Sequence, residues 1–431
     1  SPVQIVIPPI EPPDIAALAK LFLNDLSEVR GASPSETELL VLASLAANRF
    51  WPGGVLELRN AIERYVLLRD PTRSVVANWN TALTTSVPLH SPAGLVAVNG
   101  TARPELIGRT PADAAISARC FERADRFRSW CENRHIRFAV ELDMSKSAHR
   151  FVATPSLLKS EDPRAAAPLL RLHAAGLAPI HEGKTFHQYE DRWDERPRYL
   201  IRLDQLADKP GWTQRAGYYR LAFRTIASST NERTAICALI PPGCFFGNSA
   251  LCEKTPQLRP NSAALLLAAL AGSFAFDWLL RNKAGANINA FILNGCPLPP
   301  FPPAVEKFLV HAALRLTGNH PGYAALFSEQ VGDGWREPGR EPLWPVLAGE
   351  AARWAVRSTI DAVVAQAYGL SRAQYAHVLA AFSHKSYPPA ARLCLAAFDE
   401  LTQLGSEEFL RRHDPCWSIP LNQSLPVPTC L

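Results

Sequence analysis

The spacing of apolar residues divides the chain before any single residue suggests chemistry. Ile15, Leu18, Ala19, Phe22, Leu23 and Leu26 recur at i, i+3, i+4 and i+7 behind Asp14, which predicts an amphipathic helix over 14–29. A second helix is expected from Ser35 to Ala47, started by Ser33 and Pro34. A third is expected from about Val55 to Arg69 after the turn Trp51-Pro-Gly-Gly54. Residues 71–115 have little periodicity and much Thr, Ser, Gly and Pro, the pattern of a linker with room for one hairpin. A charged helix over Cys120–Arg134 then leads into a strand over 137–144. Beyond it, strand-like runs (Tyr199–Leu203, Ile236–Ile240) mix with helical ones (Ala216–Ile226, Asn261–Leu280). Leu347–Ala367, ending near Gly369, and then Ser371–Phe382 and Pro389–Leu404 read as three closing helices.

The fold class expected is therefore α+β in four parts. A helical bundle occupies 1–70, a linker 71–118, a mixed α+β domain 119–335 and a helical region 336–431. The 37 prolines gather around residues 8–13, 163–168, 241–260, 297–303 and 338–345, where they separate elements rather than fill them. No internal repeat is present.

Composition narrows the function classes. A chain of 431 residues with 47% hydrophobic and 20% charged residues reads as globular. Its longest apolar run, Ala263–Ala271, is far shorter than the roughly 20 residues of a membrane span, so a soluble chain is expected. Nine cysteines without a C-x-x-C pair argue against a disulfide framework and for a reducing cytoplasm. With 45 basic against 40 acidic residues, nucleic acid is permitted as a partner but not required.

Candidate chemistry centres on "HEGKTFHQYEDRW", residues 181–193. Zinc ligation from a helix wants histidines at i and i+4, and here they stand six apart with no cysteine beside either. A polar, aromatic loop remains, either a solvated turn or an edge that grips a ligand. No phosphate-binding glycine loop, dinucleotide fingerprint, nucleophile elbow or H-E-x-x-H motif occurs anywhere.

Two resemblances follow from longer stretches. "IVIPPIEPPDIAALAKLFL" (5–23) and "WPGGVLELRNAIERYVLL" (51–68) resemble the helical lid of the AAA+ domain of bacterial enhancer-binding transcriptional activators. Leu56 stands where that family has its nucleotide-sensing arginine, and Gly54 where it has asparagine. The resemblance thus implies a helical bundle without ATP hydrolysis.

The second covers about 280 residues, in five blocks. "ELDMSKSAHRF" (141–151), the 181–193 stretch, "YRLAFRTIASSTNERTAICALIPPGCFFGNSA" (219–250), "LLAALAGSFAFDWLLRNKAGANINAFILNGCPLPP" (266–300) and "AVRSTIDAVVAQAYGLSRAQYAHVLAAF" (355–382) run in the order of a known family. They resemble the C-terminal, target-recognition half of adenine-specific DNA methylases from type IIG restriction-modification and related phage-defence systems. The catalytic half has no counterpart. Methyl transfer to adenine needs an [N/D]-P-P-[Y/F] loop, and "IPPI" (7–10) and "IPPG" (240–243) offer neither its acceptor nor its aromatic. No glycine-rich turn for S-adenosylmethionine is present, so no cofactor is expected.

This resemblance implies a non-catalytic DNA-recognition module with two partners, double-stranded DNA and a separate methylase catalytic subunit. Candidate DNA-binding residues are Lys184, His187 and Arg192 in the first loop, and Arg220, Arg224, Asn231, Arg233 and Asn248 in the third block. Arg281, Lys283, Asn287 and Asn289 follow in the fourth. Guanidinium forks suit phosphate or guanine, and asparagine pairs with adenine. Arg220 and Arg224 are expected on one helical face, while Phe274, Phe276 and Trp278 are expected to be core. The rival reading is a protein-interaction scaffold of a defence complex without DNA binding, or a relic of a methylase.

Overall fold

The computed structural model describes residues 12–28, 34–48, 58, 61–62, 65–66, 70, 72–84, 96–98, 101–103, 110–154, 158, 161–227, 231–284, 287–332 and 343–429. The chain is mixed α+β and forms two compact units, Ser1–Glu105 and Leu106–Leu431.

In the first unit, helices α1 (Pro12–Glu28) and α2 (Glu36–Ala47) pack through Ile15, Ala19 and Leu23 against Leu42 and Ala46. Ser35, rather than Ser33, caps α2, its hydroxyl accepting from Glu38 N at 3.1 Å. Leu58, Ala61, Ile62, Tyr65 and Val66 are helical and buried at the expected spacing. The Trp51–Gly54 turn and Leu56 lie outside the described residues. The stretch expected to be a linker begins with a further helix, α3 (Val75–Thr84). Its Thr and Asn residues have weak helix propensity, so the sequence hides it. Burial of Trp79 and Ala82 in the bundle overrides that weakness, and Asn78 ties its start to Asp70 through two hydrogen bonds of 3.1 and 2.9 Å. The hairpin is present, with β1 (Val96–Val98) antiparallel to β2 (Thr101–Arg103).

The second unit begins with α4 (Pro111–Glu122), β3 (Asp125–Arg126) and α5 (Phe127–Glu132), so the helix expected over 120–134 is two helices with a short strand between them. Two small sheets follow. The first contains β5 (Phe151–Ala153), β6 (Leu177–His181), β7 (Tyr199–Arg202) and β10 (Phe245–Phe246); the second contains β4 (Phe138–Ala139), β8 (Arg220–Arg224), β9 (Cys237–Ile240) and β11 (Ala250–Glu253). Their orders are β10-β6-β7-β5 and β4-β11-β8-β9.

Strand β8 corrects the helix expected over 216–226. It lies between β9 and β11, with Leu221 paired to Leu239 and Leu251 to Phe223, so both edges are paired. Leu221 and Phe223 enter the main core while Ala222 enters a second cluster, leaving no polar face to betray a period of two.

After α6 (Ala166–Ala174) and α7 (Pro210–Ala216), α8 (Asn261–Gly272) packs against the second sheet, and its residues 264–271 are all at most 3% exposed. A helix apolar all round belongs in a core. The single helix expected to Leu280 breaks instead at Ser273, and α9 (Phe274–Lys283) departs at 70°. A Gly-Ser pair permits the break. The Ser273 hydroxyl accepts from Phe276 N at 3.2 Å, the Asp361 carboxylate takes Phe274 N at 2.5 Å, and the ring of Tyr189 fills the space a side chain at Gly272 would need. Phe274, Phe276 and Trp278 are core, as expected.

The closing helices stand where the periodicity places them: α13 (Glu350–Ala367), α14 (Arg372–Ala380) and α15 (Ala390–Leu404), after α10 (Ala290–Asn294), α11 (Pro303–Thr317) and α12 (Ala324–Val331). Gly369, at φ 73°, ends α13. Among the described residues no single helix is long and apolar enough to cross a membrane.

Candidate nucleic-acid interface

The 181–193 loop divides into a buried part and a rim. His181 is fully buried, with Nδ1 2.8 Å from the Thr185 hydroxyl. Gln188 donates to Ala235 O at 2.5 Å and accepts from Arg357 at 2.6 Å. Asp191, also buried, accepts from His320 Nε2 at 2.9 Å. Burial, reinforced by Arg164, pulls the His181 pKa down to about 3; burial and Arg357 do the same to His187. Both rings are neutral at physiological pH. Among the described residues no three His, Cys, Asp or Glu side chains are grouped to hold a metal.

Several candidate cations are consumed by the fold. Arg220, 2% exposed, donates to Glu141 Oε1 at 2.7 Å and to the carbonyl of Cys244. Arg233 donates to Asp277 Oδ2 and to Gly272 O, both at 2.7 Å. Neither reaches solvent, so their assignment as DNA contacts is corrected: each neutralises a buried acid, which would otherwise be left charged and unpaired.

Arg281 spans the carbonyls of Asn231 (2.7 Å), Glu232 (2.9 Å) and Ala381 (3.2 Å). Arg224 donates to Phe186 O at 2.6 Å, Arg192 to Arg164 O at 3.2 Å, and Lys283 to Gly295 O at 3.2 Å. Loops leave carbonyls that no ladder pairs, and long cations satisfy them. His187 is half-buried, its ring centroid 4.5 Å from that of Trp193.

What remains outward is mostly amide. Lys184, Asn231, Asn248, Asn287 and Asn289 are exposed. Asn289 is engaged as the cap of α10, accepting from Ile292 N at 2.9 Å, and Lys184 pairs with Glu195 at 3.0 Å.

The loops that carry Lys184, Asn248 and Asn287 meet at one end of β8. Gly183 N donates to the Ser249 hydroxyl at 2.8 Å, Thr225 N to Ser249 O at 3.0 Å, and Ile288 N to Thr225 O at 2.7 Å. Ile226 and Asn287 form a β-bridge. Ile226, 62% exposed, stands on this rim, and Asn231 is held separately beside the end of α9. Sequence reasoning missed Thr225 and Ser249, which join the loops, and Ile226, which faces outward. Only the strand assignment of β8 would have revealed them. No protein-family model matches the chain, and a search of curated proteins finds no match.

Proposed function

We propose that this chain is a non-catalytic DNA-recognition module of a restriction-modification or phage-defence adenine methylase, working in the cytoplasm with a separate catalytic chain. The observation that carries the reading is the meeting of three loops, from three of the resembling blocks, at the end of β8. Backbone bonds and the Ser249 hydroxyl hold the loops of Lys184, Asn248 and Asn287 together beside an exposed Ile226. Asparagine amides match the N6/N7 edge of adenine, and an exposed aliphatic side chain suits the thymine methyl group. Because most nearby cations are engaged within the fold, few phosphates are neutralised. Affinity should therefore depend weakly on salt compared with a basic groove.

The test is fluorescence anisotropy with a randomised duplex pool, by the full chain alone and with a methylase catalytic chain. Saturable duplex binding that Asn287→Ala weakens is expected. Failure of the folded protein to bind any duplex in either setting removes this reading. The scaffold reading would then stand, favoured by the same internal use of arginines that makes the rim only weakly basic.

A further inference from the structure

The N-terminus of α8 opens into a cleft of about 220 Å³ that shares no lining residue with the rim. Three groups there are unusual together. Pro260 at the cap position supplies no side-chain acceptor, and the N–H of Ser262, which lines the cleft, donates to nothing among the described residues. The Ser262 hydroxyl, in a residue only 3% exposed, also lacks a partner. Unmet donors buried at one helix end are costly, and they form the arrangement that binds oxyanions elsewhere.

The facing wall adds further donors. Asn133, Arg134 and His135 follow α5 and line the cleft. His135 is held at φ 57°, a left-handed conformation uncommon for residues other than glycine. Arg134 stacks over Trp130 at 4.1 Å and spends one nitrogen on Glu306 at 2.8 Å, leaving the rest of its fork. Two carboxylates stand close. Glu306 is already paired with Arg134, and Glu329 takes the Asn261 amide at 2.8 Å. Ala263, Leu266, Val310 and Leu421 give the cleft an apolar wall.

We propose that this cleft binds a small phosphomonoester, the phosphate at the α8 N-terminus and the organic body against the apolar wall. The donors outnumber what the two oxygens of a carboxylate can accept, whereas the three free oxygens of a phosphate monoester can take the Ser262 N–H and hydroxyl, the His135 imidazole and the Arg134 fork together. The site is independent of the DNA-facing rim.

The experiment is calorimetric titration and thermal melting of the full chain with phenyl phosphate, inorganic phosphate and acetate, at ionic strength matched with chloride. Phenyl phosphate should bind saturably and more tightly than inorganic phosphate, with acetate weakest. His135→Gly relieves the left-handed backbone and Ser262→Ala removes an unpartnered hydroxyl, so both variants should melt no lower than the parent. Each should nonetheless bind phenyl phosphate about tenfold more weakly, the loss of one hydrogen bond to a charged group. Absence of saturable binding in the parent, parental affinity retained in both variants, or acetate as effective as phenyl phosphate would each overturn the assignment.

Discussion

The interior beneath the 181–193 loop and the rim at the end of β8 are built from the same polar residue types, yet they meet opposite conditions. In the interior, Arg220 and Arg233 face Glu141 and Asp277 at 2.7 Å, with all four side chains buried. At the rim, Asn248 and Asn287 are exposed, and their loops are held by backbone bonds rather than by charge. Arginine here is structural, and the surface chemistry is left to amides. A guanidinium has five donors and reach, so it goes where carbonyls and acids are buried; a short amide suffices where the backbone already fixes the loop.

The largest effect expected tests the interior side of this contrast. Arg233→Ala leaves Asp277 buried without its ion pair, and about 3–5 kcal/mol of stability should be lost. Chemical denaturation of the variant measures it directly. A change below about 1 kcal/mol, the range of exposed pairs, would mean that the pair is hydrated in solution and the interior is no different from the rim.

The sequence shows some of this and conceals the rest for identifiable reasons. The closing helices were legible because α13 to α15 keep one polar face, and the capping box of Ser371 with Gln374 marks the start of α14. Strand β8 was not legible, since burial on both faces erases alternation. For Arg220 and Arg224, an i, i+4 spacing puts both residues on one face in a strand as well as in a helix, so the shared face survives the wrong element. The fate of each arginine was out of reach, because Glu141 and Asp277 lie 79 and 44 residues away in the chain. The meeting of the rim loops depends on contacts such as Gly183 with Ser249, 66 residues apart.

A second effect comes from titration of the interior. His181 and His187, drawn from 6.5 down to about 3 chiefly by burial, contribute stability that is complete above their unfolded pKa and lost as pH falls toward 3. Asp361 behaves in the opposite sense. Burial, against the pull of Arg233, raises its pKa from 3.8 to about 7, so its contribution is present below 3.8 and lost as pH rises through 7. Together these three groups place a stability maximum near 6.5. Asp361→Asn keeps an acceptor for Phe274 N and should flatten the decline between pH 6.5 and 7. It should also steepen the acid side by about 1.4 kcal/mol per pH unit. Denaturation midpoints at pH 5, 6.5 and 8 that are shifted equally by the substitution would show that Asp361 does not titrate in this range.

At the rim the signature reverses, with binding changed and stability untouched. Asn248→Ala and Asn287→Ala, at exposed positions, should leave stability within about 0.5 kcal/mol. On the preferred duplex each should lose about 1–3 kcal/mol of affinity, and little on unrelated DNA. If Asn231→Ala, at a position held beside α9 rather than in the β8 rim, causes an equal loss, the recognition surface is wider than these three loops.

The smallest effect separates an amide surface from a phosphate-gripping one. Lys184 is the outward cation of the rim, and its partner Glu195 lies 3.0 Å away with both side chains largely exposed. Such a pair contributes about 0–1 kcal/mol and yields readily to a competing phosphate. Full neutralisation of one phosphate changes the slope of log K against log salt by about 0.9. The Lys184–Glu195 pair must open first, so Lys184→Ala should reduce the slope by less than that and weaken all duplexes alike. Glu195→Gln frees the lysine and should move both quantities the other way. Titrations over a range of salt concentrations that show the two variants changing the slope in the same direction would remove Lys184 from the contact, leaving the amides and Ile226 to carry recognition at this rim.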